Sequence, residues 1–344
     1  MKRVTIRVPA TTANLGPGFD AFGCALSLYT DVTFEEMEYG LEITGCPEEF
    51  SGPDNLAYVS YCAVLTSMNE EIRGLKIHID AHIPICRGLG SSAALLVAGA
   101  MGANVLRGNK LSVQGLLNIT NAMEGHPDNL APAFLGGLTA SMVDNGLPVC
   151  VNFPLHPDWE FLALIPDFTL STEKARAALP NEYSRADAVY NIAHGALVLK
   201  ALELGDEKLL RTAMQDRIHQ NYRKKLIPDY EKIEGLVRTC GAAFCLSGAG
   251  PTLLCITRNP GLEESWQKRS MRSRTPTGKC SPSMWNSRVP TFFPPNSTSA
   301  PVKRPGLYLC KTQAEGFPTF KGPLPKGGWI ASPRRHDRGE SYEF

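Results

Sequence analysis

Pro84-Ile85-Cys86-Arg87-Gly88-Leu89-Gly90-Ser91-Ser92-Ala93-Ala94 separates two stretches with different hydrophobic periods. Before it, residues 75–82 alternate apolar and polar side chains. After it, residues 92–105 are rich in Ala and Leu and contain no proline. The first pattern predicts a strand and the second a helix. Glycines between them let the backbone turn tightly and approach a ligand, while the unpaired first amides of a helix attract an anion. Serines here can cap the helix, bind a phosphate oxygen or hold a cation that bridges phosphates. A Walker loop would need a lysine to reach the terminal phosphates, and none is present. The spacing Gly88, Gly90, Ala93 fits a dinucleotide fingerprint, but that fingerprint also needs an acidic residue about 20 positions on. No Asp or Glu lies between Asp80 and Glu124. A glycine turn leading into a capped core helix remains open on this loop alone.

Towards the N-terminus, Val4-Thr5-Ile6-Arg7-Val8 alternates like a first strand and runs into Pro9-Ala10-Thr11-Thr12-Ala13-Asn14-Leu15-Gly16-Pro17-Gly18-Phe19-Asp20. Glycines flanking a proline make a rigid loop, from which Asn14 and Asp20 offer an amide and a carboxylate; a purely structural turn is the other reading. Two β-rich runs follow at 24–29 and 32–35, then a helix over 54–68.

Towards the C-terminus, a helix over 111–123 ends at Glu124-Gly125-His126-Pro127-Asp128-Asn129, an unusual density of polar groups for a connector. Mg²⁺ takes oxygen ligands and keeps waters and substrate phosphates, so one carboxylate with one serine hydroxyl is a sufficient protein contribution. His126 reads as a hydrogen-bonded structural histidine rather than a base. Strands are expected at 149–153 and 161–165, and a capped helix start at 170–176, with Arg176 one turn in. Residues 185–204 give the longest clean helical pattern of the second half. Asp216-Arg217-Ile218-His219-Gln220-Asn221-Tyr222-Arg223 then leads into a basic run that is either a solvated face or a source of an arginine grip on a carboxylate. A helix at 230–239, a strand at 242–246, the loop Ser247-Gly248-Ala249-Gly250-Pro251 and a strand at 252–256 complete this part. The last glycine loop reads as a close-approach loop under a ligand.

At 344 residues, two domains and ample buried core are expected, and a near-neutral balance gives no reason to expect nucleic acid. No run of 18 apolar residues exists and no signal peptide precedes the first strand, so a cytosolic protein without a membrane span is expected. Ten scattered cysteines without metal spacing read as reduced core residues. The average conceals a break near residue 264. Residues 1–264 hold 21 Lys+Arg against 30 Asp+Glu, a net of −9, whereas 265–344 hold 14 against 4, a net of +10. That tail also carries 11 of the 26 prolines, which oppose any long element and predict disorder.

Taken in order, the Pro-Ala-Thr-Thr-Ala-Asn-Leu-Gly-Pro-Gly-Phe-Asp, Gly-Leu-Gly-Ser-Ser-Ala-Ala and Ser-Gly-Ala-Gly-Pro-Thr loops resemble the small-molecule kinases named after galactokinase, homoserine kinase, mevalonate kinase and phosphomevalonate kinase. With Glu-Gly-His-Pro-Asp-Asn they are most similar to the homoserine-phosphorylating branch. The likeness runs from about residue 2 to about residue 262. It implies an α+β fold: an N-terminal ribosomal-protein-S5-like ATP-binding domain over 1–155 and a C-terminal ferredoxin-like substrate domain over 156–264, incomplete because 265–344 departs from the pattern. That departure looks like a shifted reading frame or a fused end.

The resemblance also implies ATP, Mg²⁺ and L-homoserine as ligands, and a homodimer is compatible with it. Carried onto this chain, Pro84, Ile85, Cys86, Arg87, Gly88, Leu89, Gly90, Ser91, Ser92, Ala93 and Ala94 would wrap the triphosphate. Ser92 and Glu124 would hold Mg²⁺, and Asn55 would lie near the adenine. Asp20 would take the substrate ammonium, Asn14 and Asn129 would orient its polar groups, and Arg176 and Arg223 would clamp its carboxylate. Thr172 would sit near the transferred phosphoryl group, and no general base is implied. A mevalonate-type kinase would leave Asp20 without an amine to bind; a nucleotide-binding but inactive chain is the other alternative.

Overall fold

The computed structural model describes residues 2–261 and two short strands beyond them. The strands are β1 (Arg3–Ala13), β2 (Phe22–Met37), β3 (Leu41–Thr44), β4 (Gly74–Asp80), β5 (Leu138–Asp144), β6 (Leu147–Phe153), β7 (Glu160–Leu164), β8 (Ala243–Leu246), β9 (Leu253–Thr257), β10 (Thr291–Phe292) and β11 (Tyr308–Cys310). The helices are α1 (Leu56–Ser67), α2 (Ser91–Leu106), α3 (Val113–Glu124), α4 (Leu130–Leu135), α5 (Thr172–Ala177), α6 (Arg185–Leu204), α7 (Glu207–Ala213), α8 (Gln220–Arg223) and α9 (Tyr230–Thr239). No helix among the described residues is long and apolar enough to cross a membrane.

The larger sheet has the order β11-β1-β2-β4-β3, and β5 joins β2 with β6 outside it. β2 organises this sheet. Its first residues pair with β5, its second half with β4, and almost its whole length with β1. Alternation in β1 buries Val4, Ile6 and Val8 in the core. Against this core lies α2, whose many alanines keep its surface shallow enough for close packing on α1; the Ser60 hydroxyl donates to the Leu96 carbonyl at 2.6 Å. The second sheet is antiparallel, in the order β10-β7-β9-β8. A continuous apolar cluster reaches from Val4 and Phe34 on the first sheet past Trp159 to Phe161, Leu254 and Ile256 on the second.

Several elements depart from the sequence reading. The runs at 24–29 and 32–35 are one strand, because Asp31 does not interrupt β2 but pairs with Arg7 on β1 at 2.6 and 2.8 Å. Short β3, α4, β5 and α7 were not expected; α4 contains Pro132, which the first turn of a helix tolerates. The prolines of the tail oppose a helix or a central strand, and the two described tail strands are short edge strands, β10 beside β7 and β11 beside β1. An edge strand pairs on one side only, so neighbouring prolines such as Pro290 do not forbid it. The rest of the expected disorder over 265–344 lies outside the described residues. The eight described cysteines are free thiols.

Candidate active site

Three loops remote in sequence meet at one place. The segment at the end of β1 touches the loop before α2 through the Thr11 amide on the Leu89 carbonyl at 3.1 Å. It touches the loop after β8 through the Gly248 amide on the Ala13 carbonyl (3.1 Å) and the Asn14 amide group on the Gly248 carbonyl (2.7 Å). The loops before α2 and after β8 also meet directly, since Ser247 donates from Oγ to the Gly88 carbonyl at 2.6 Å. Gly88 has φ +73°, and a Cβ there would stand 2.3 Å from the Ser247 carbonyl oxygen. At Gly90, φ +69°, a Cβ would meet the Thr11 hydroxyl at 2.0 Å. Only glycine permits either contact, so the glycines serve loop-to-loop packing as well as the turn.

Around the start of α2, the Ser92 hydroxyl donates to Glu124 Oε2 at 2.9 Å across to the end of α3. Burial pushes the Glu124 carboxyl above the usual range, opposed by the Ser92 hydrogen bond and the nearby His126. His126 bonds Asp128 at 2.6 Å, and this bond raises its pKa. Ser92 and Glu124 therefore form a hard-oxygen pair at a helix N-terminus, and a buried carboxylate with a raised pKa is one that a cation would stabilise as the anion. That donor set fits Mg²⁺. Arg87 donates to the Pro166 and Asp167 carbonyls at 3.0 and 3.2 Å, while its Nη1 is buried without a hydrogen-bond partner.

Close to the Ser92–Glu124 group, Asp20 and Arg176 are paired bidentately at 2.8 and 2.9 Å. Arg223 is 1% exposed. Its Nε donates to the Ala175 carbonyl and its Nη1 to the Gly248 carbonyl, both at 3.3 Å. Phe19 lies beneath both arginines, 5.6 Å from the Arg176 guanidinium carbon and 5.0 Å from that of Arg223. Burial, reinforced by Arg176, pushes the Arg223 pKa down to about 10, so it stays a cation at neutral pH.

The other singled-out residues divide by their hydrogen bonds. Asn129 accepts from the Thr11 hydroxyl at 2.7 Å and borders the loop junction. Asn14 is buried, with φ +71°, and uses its amide on the Gly248 carbonyl and the Asp20 amide. Asn55 caps α1 through the Ala57 amide and donates to the Phe50 carbonyl. Thr172 opens α5, exposed, behind its cap Ser171. Pro84 to Ala94 form the turn and first helical residues as expected, with Cys86 exposed at φ +53°. Reasoning from sequence passed over Thr11, Phe19, Ser247 and His219. For His219 the available signal was its place four residues before Arg223, one helical turn away.

Comparison with known proteins gives two family matches: GHMP kinases N terminal domain over residues 55–137 and GHMP kinases C terminal over residues 198–269. A homoserine kinase of Clostridium beijerinckii is 45% identical over 255 residues, 74% of this chain and 86% of that protein. The crystal structure of homoserine kinase from Cytophaga hutchinsonii superposes with TM-score 0.70 at 28% identity, covering 78% of this chain and 88% of that one. L. major mevalonate kinase shares the fold, with TM-score 0.63 at 17% identity over 83% of this chain and 94% of that one.

Proposed function

Because the chain belongs to the homoserine kinases of the GHMP kinase family, with that family's two-domain α+β fold, we propose that the three-loop junction transfers the γ-phosphoryl group of ATP to the hydroxyl of L-homoserine. One observation carries the placement of the reaction. The glycine loop, the Ser92–Glu124 pair, and an acid with two arginines gather around the same junction. A zwitterionic amino acid needs both signs at one end, and a triphosphate needs amides and a cation at the other.

Pro84 to Ala94 wrap the phosphates in this reading, and the orphaned Nη1 of Arg87 gains an anionic neighbour there. Ser92 and Glu124 hold Mg²⁺, which when bound supplies neutralisation of phosphate charge. Asp20 receives the substrate ammonium, while Arg176 and Arg223 receive the carboxylate. Asp20 and Arg176 orient each other through their two hydrogen bonds. Asn14 acts by holding the Asp20 backbone through its Oδ1, and Asn129 borders the substrate hydroxyl. The Asn55 side chain near the adenine keeps α1 in place, and Thr172 stands at the phosphoryl path.

The substrate oxygen bonds to the γ-phosphorus as the bond from that phosphorus to ADP breaks, and the hydroxyl proton leaves to solvent. Such transition states are loose, so alignment and charge neutralisation supply most of the acceleration and no strong base is required. The functional boundaries are placed at 1–155 and 156–264, with β1 to β6 in the first part and β7 to β9 in the second, while β10 and β11 pair with these sheets from beyond residue 264. An ADP-release assay with a panel of small alcohols tests the reading. Turnover with L-homoserine is expected, and turnover with mevalonate alone would overturn the substrate assignment.

A further inference from the structure

Arg223 is held from behind by a buried ring, and we propose that His219 is a positioning residue. Its neutral imidazole, protonated on Nε2, offers the Nδ1 lone pair to Arg223 and so aims the guanidinium at the substrate. This rests on the reading of Arg223 as a carboxylate contact.

The tautomer follows from the neighbours. His219 is 0% exposed. Its Nε2 faces the Gly16 carbonyl oxygen at 2.8 Å, which can only accept, and Asp216 Oδ2, already an acceptor for two backbone amides, lies 3.7 Å away, so Nε2 carries the hydrogen. Its Nδ1 lies 3.3 Å from Arg223 Nη1, and a guanidinium can only donate, so Nδ1 must be bare. An imidazolium would turn an N–H against the guanidinium. Burial moves the His219 pKa down, in the direction this arrangement requires.

The ring is itself fixed on every side. Phe19 stacks on it at 5.3 Å. The Asp216 carboxylate accepts the amides of Ile218, His219 and Gln220 at 2.9, 2.8 and 2.6 Å, locking the turn that starts α8. Asn191 on α6 donates to Asp216 (2.7 Å) and to the Pro17 carbonyl (3.2 Å). One imidazole therefore connects the Gly16 to Asp20 loop with Arg223, setting the spacing between the proposed ammonium and carboxylate contacts.

Two isosteres separate this role from simple packing. In H219N the Asn oxygen can stand near Nδ1 and keep the acceptor for Arg223. In H219Q the amide nitrogen can stand near Nε2, keeping the Gly16 contact and losing the acceptor. Both variants should lose thermal stability to a similar extent. H219Q should raise the homoserine KM roughly tenfold, the scale of a lost hydrogen bond to a charged group, with kcat and the ATP KM little changed. H219N should restore most of that loss. Equal homoserine KM values in the two variants would overturn the proposal. R223A is the arm that tests the underlying reading: an unchanged homoserine KM there removes the carboxylate contact itself, whereas a raised KM with indifferent H219Q removes only the role of His219. If either His219 variant fails to fold, long-range ¹⁵N–¹H correlation spectra of the unmodified full chain give the answer. A protonated Nε2 with a bare Nδ1 is expected at about pH 8, and an imidazolium or an Nδ1–H tautomer there would refute it.

Discussion

Replacing Gly88 by alanine tests whether the loop before α2 is clamped by the loop after β8. A Cβ at this position would lie 2.3 Å from the Ser247 carbonyl oxygen, against 3.4 Å or more for an ordinary contact, so the two backbones must part by about an ångström. That movement breaks the Ser247 hydroxyl bond to the Gly88 carbonyl, at 2.6 Å, and loosens the Thr252 amide bond to the Arg87 carbonyl, at 3.3 Å. Each is worth about 0.5–1.5 kcal/mol. An L-residue in the left-handed region adds about 1–2 kcal/mol. Gly146→Ala is the control, since Gly146 has φ +78° and nothing within 4 Å of an added Cβ; it carries the backbone strain alone. The difference between the two variants should be about 1–3 kcal/mol, or about 2–12 °C in melting temperature at about 2–4 °C per kcal/mol. In an ADP-release assay with ATP titrated at saturating homoserine, Gly88→Ala should raise the ATP KM at least about tenfold, while Gly146→Ala leaves it unchanged. Equal melting temperatures and equal ATP KM values would refute the interlocking of the loops.

Ser92→Ala and Glu124→Gln should each lower kcat roughly 10²-fold, with a changed Mg²⁺ dependence; unaltered Mg²⁺ titrations in both would remove them from the metal site. Glu124 also has a stability signature. Its carboxyl is raised by burial, so above the ordinary carboxylate range the folded state binds more protons than the unfolded chain, and stability falls as pH rises through that window. Glu124→Gln should therefore melt higher than the native chain at pH 7.5 without metal, and added Mg²⁺ should narrow the gap; a lower melting temperature would contradict this. Arg176→Ala should raise the homoserine KM by the equivalent of about 1.5–3 kcal/mol and leave ATP binding intact, and the reverse pattern would show the clamp to be misplaced. The His126 pKa is raised by its bond to Asp128, so that bond stabilises below the ordinary histidine pKa and the benefit fades as pH rises through the folded value. Asp128→Asn should lower the His126 pKa measured by NMR, and the stability gap to the native chain should shrink at higher pH.

The glycine and serine loops were legible because their residue types answer a local demand, positive φ or a helix cap, that chain neighbours alone impose. The same held for α6 and α9, whose bounds match the expected 185–204 and 230–239. Elements set by pairing were less legible. Thr30 and Asp31 look like a break, yet the ladders to β1 and, at Asp31, to β4 run through them, and Asp31 also pairs with Arg7. Arg223 read equally as a solvated or a gripping residue, because its burial depends on Phe19, Ala175, His219 and Gly248, which come from four separate stretches of chain. Asp20 and Arg176 were expected to meet different charged groups of one substrate, and their mutual pairing is a tertiary fact that no spacing encodes. Asn14 and Asn55 carry side chains suited to ligand binding, yet each bonds backbone groups on both sides of its amide.

The contact between Gly88 and Ser247 spans 159 residues, and that between Asn14 and Gly248 spans 234. During synthesis at about 5–20 residues per second, the phosphate loop waits roughly 8–30 s for the loop that clamps it. Throughout that interval Gly88 lacks its Ser247 and Gly250 neighbours, and its flexibility, useful for the final packing, works against order. Competence to bind nucleotide should thus be acquired late on the ribosome, in one step, when Ser247 arrives rather than when α2 is complete. A nascent chain arrested between α9 and β8 would hold every residue that reads as a phosphate site and still bind ATP poorly.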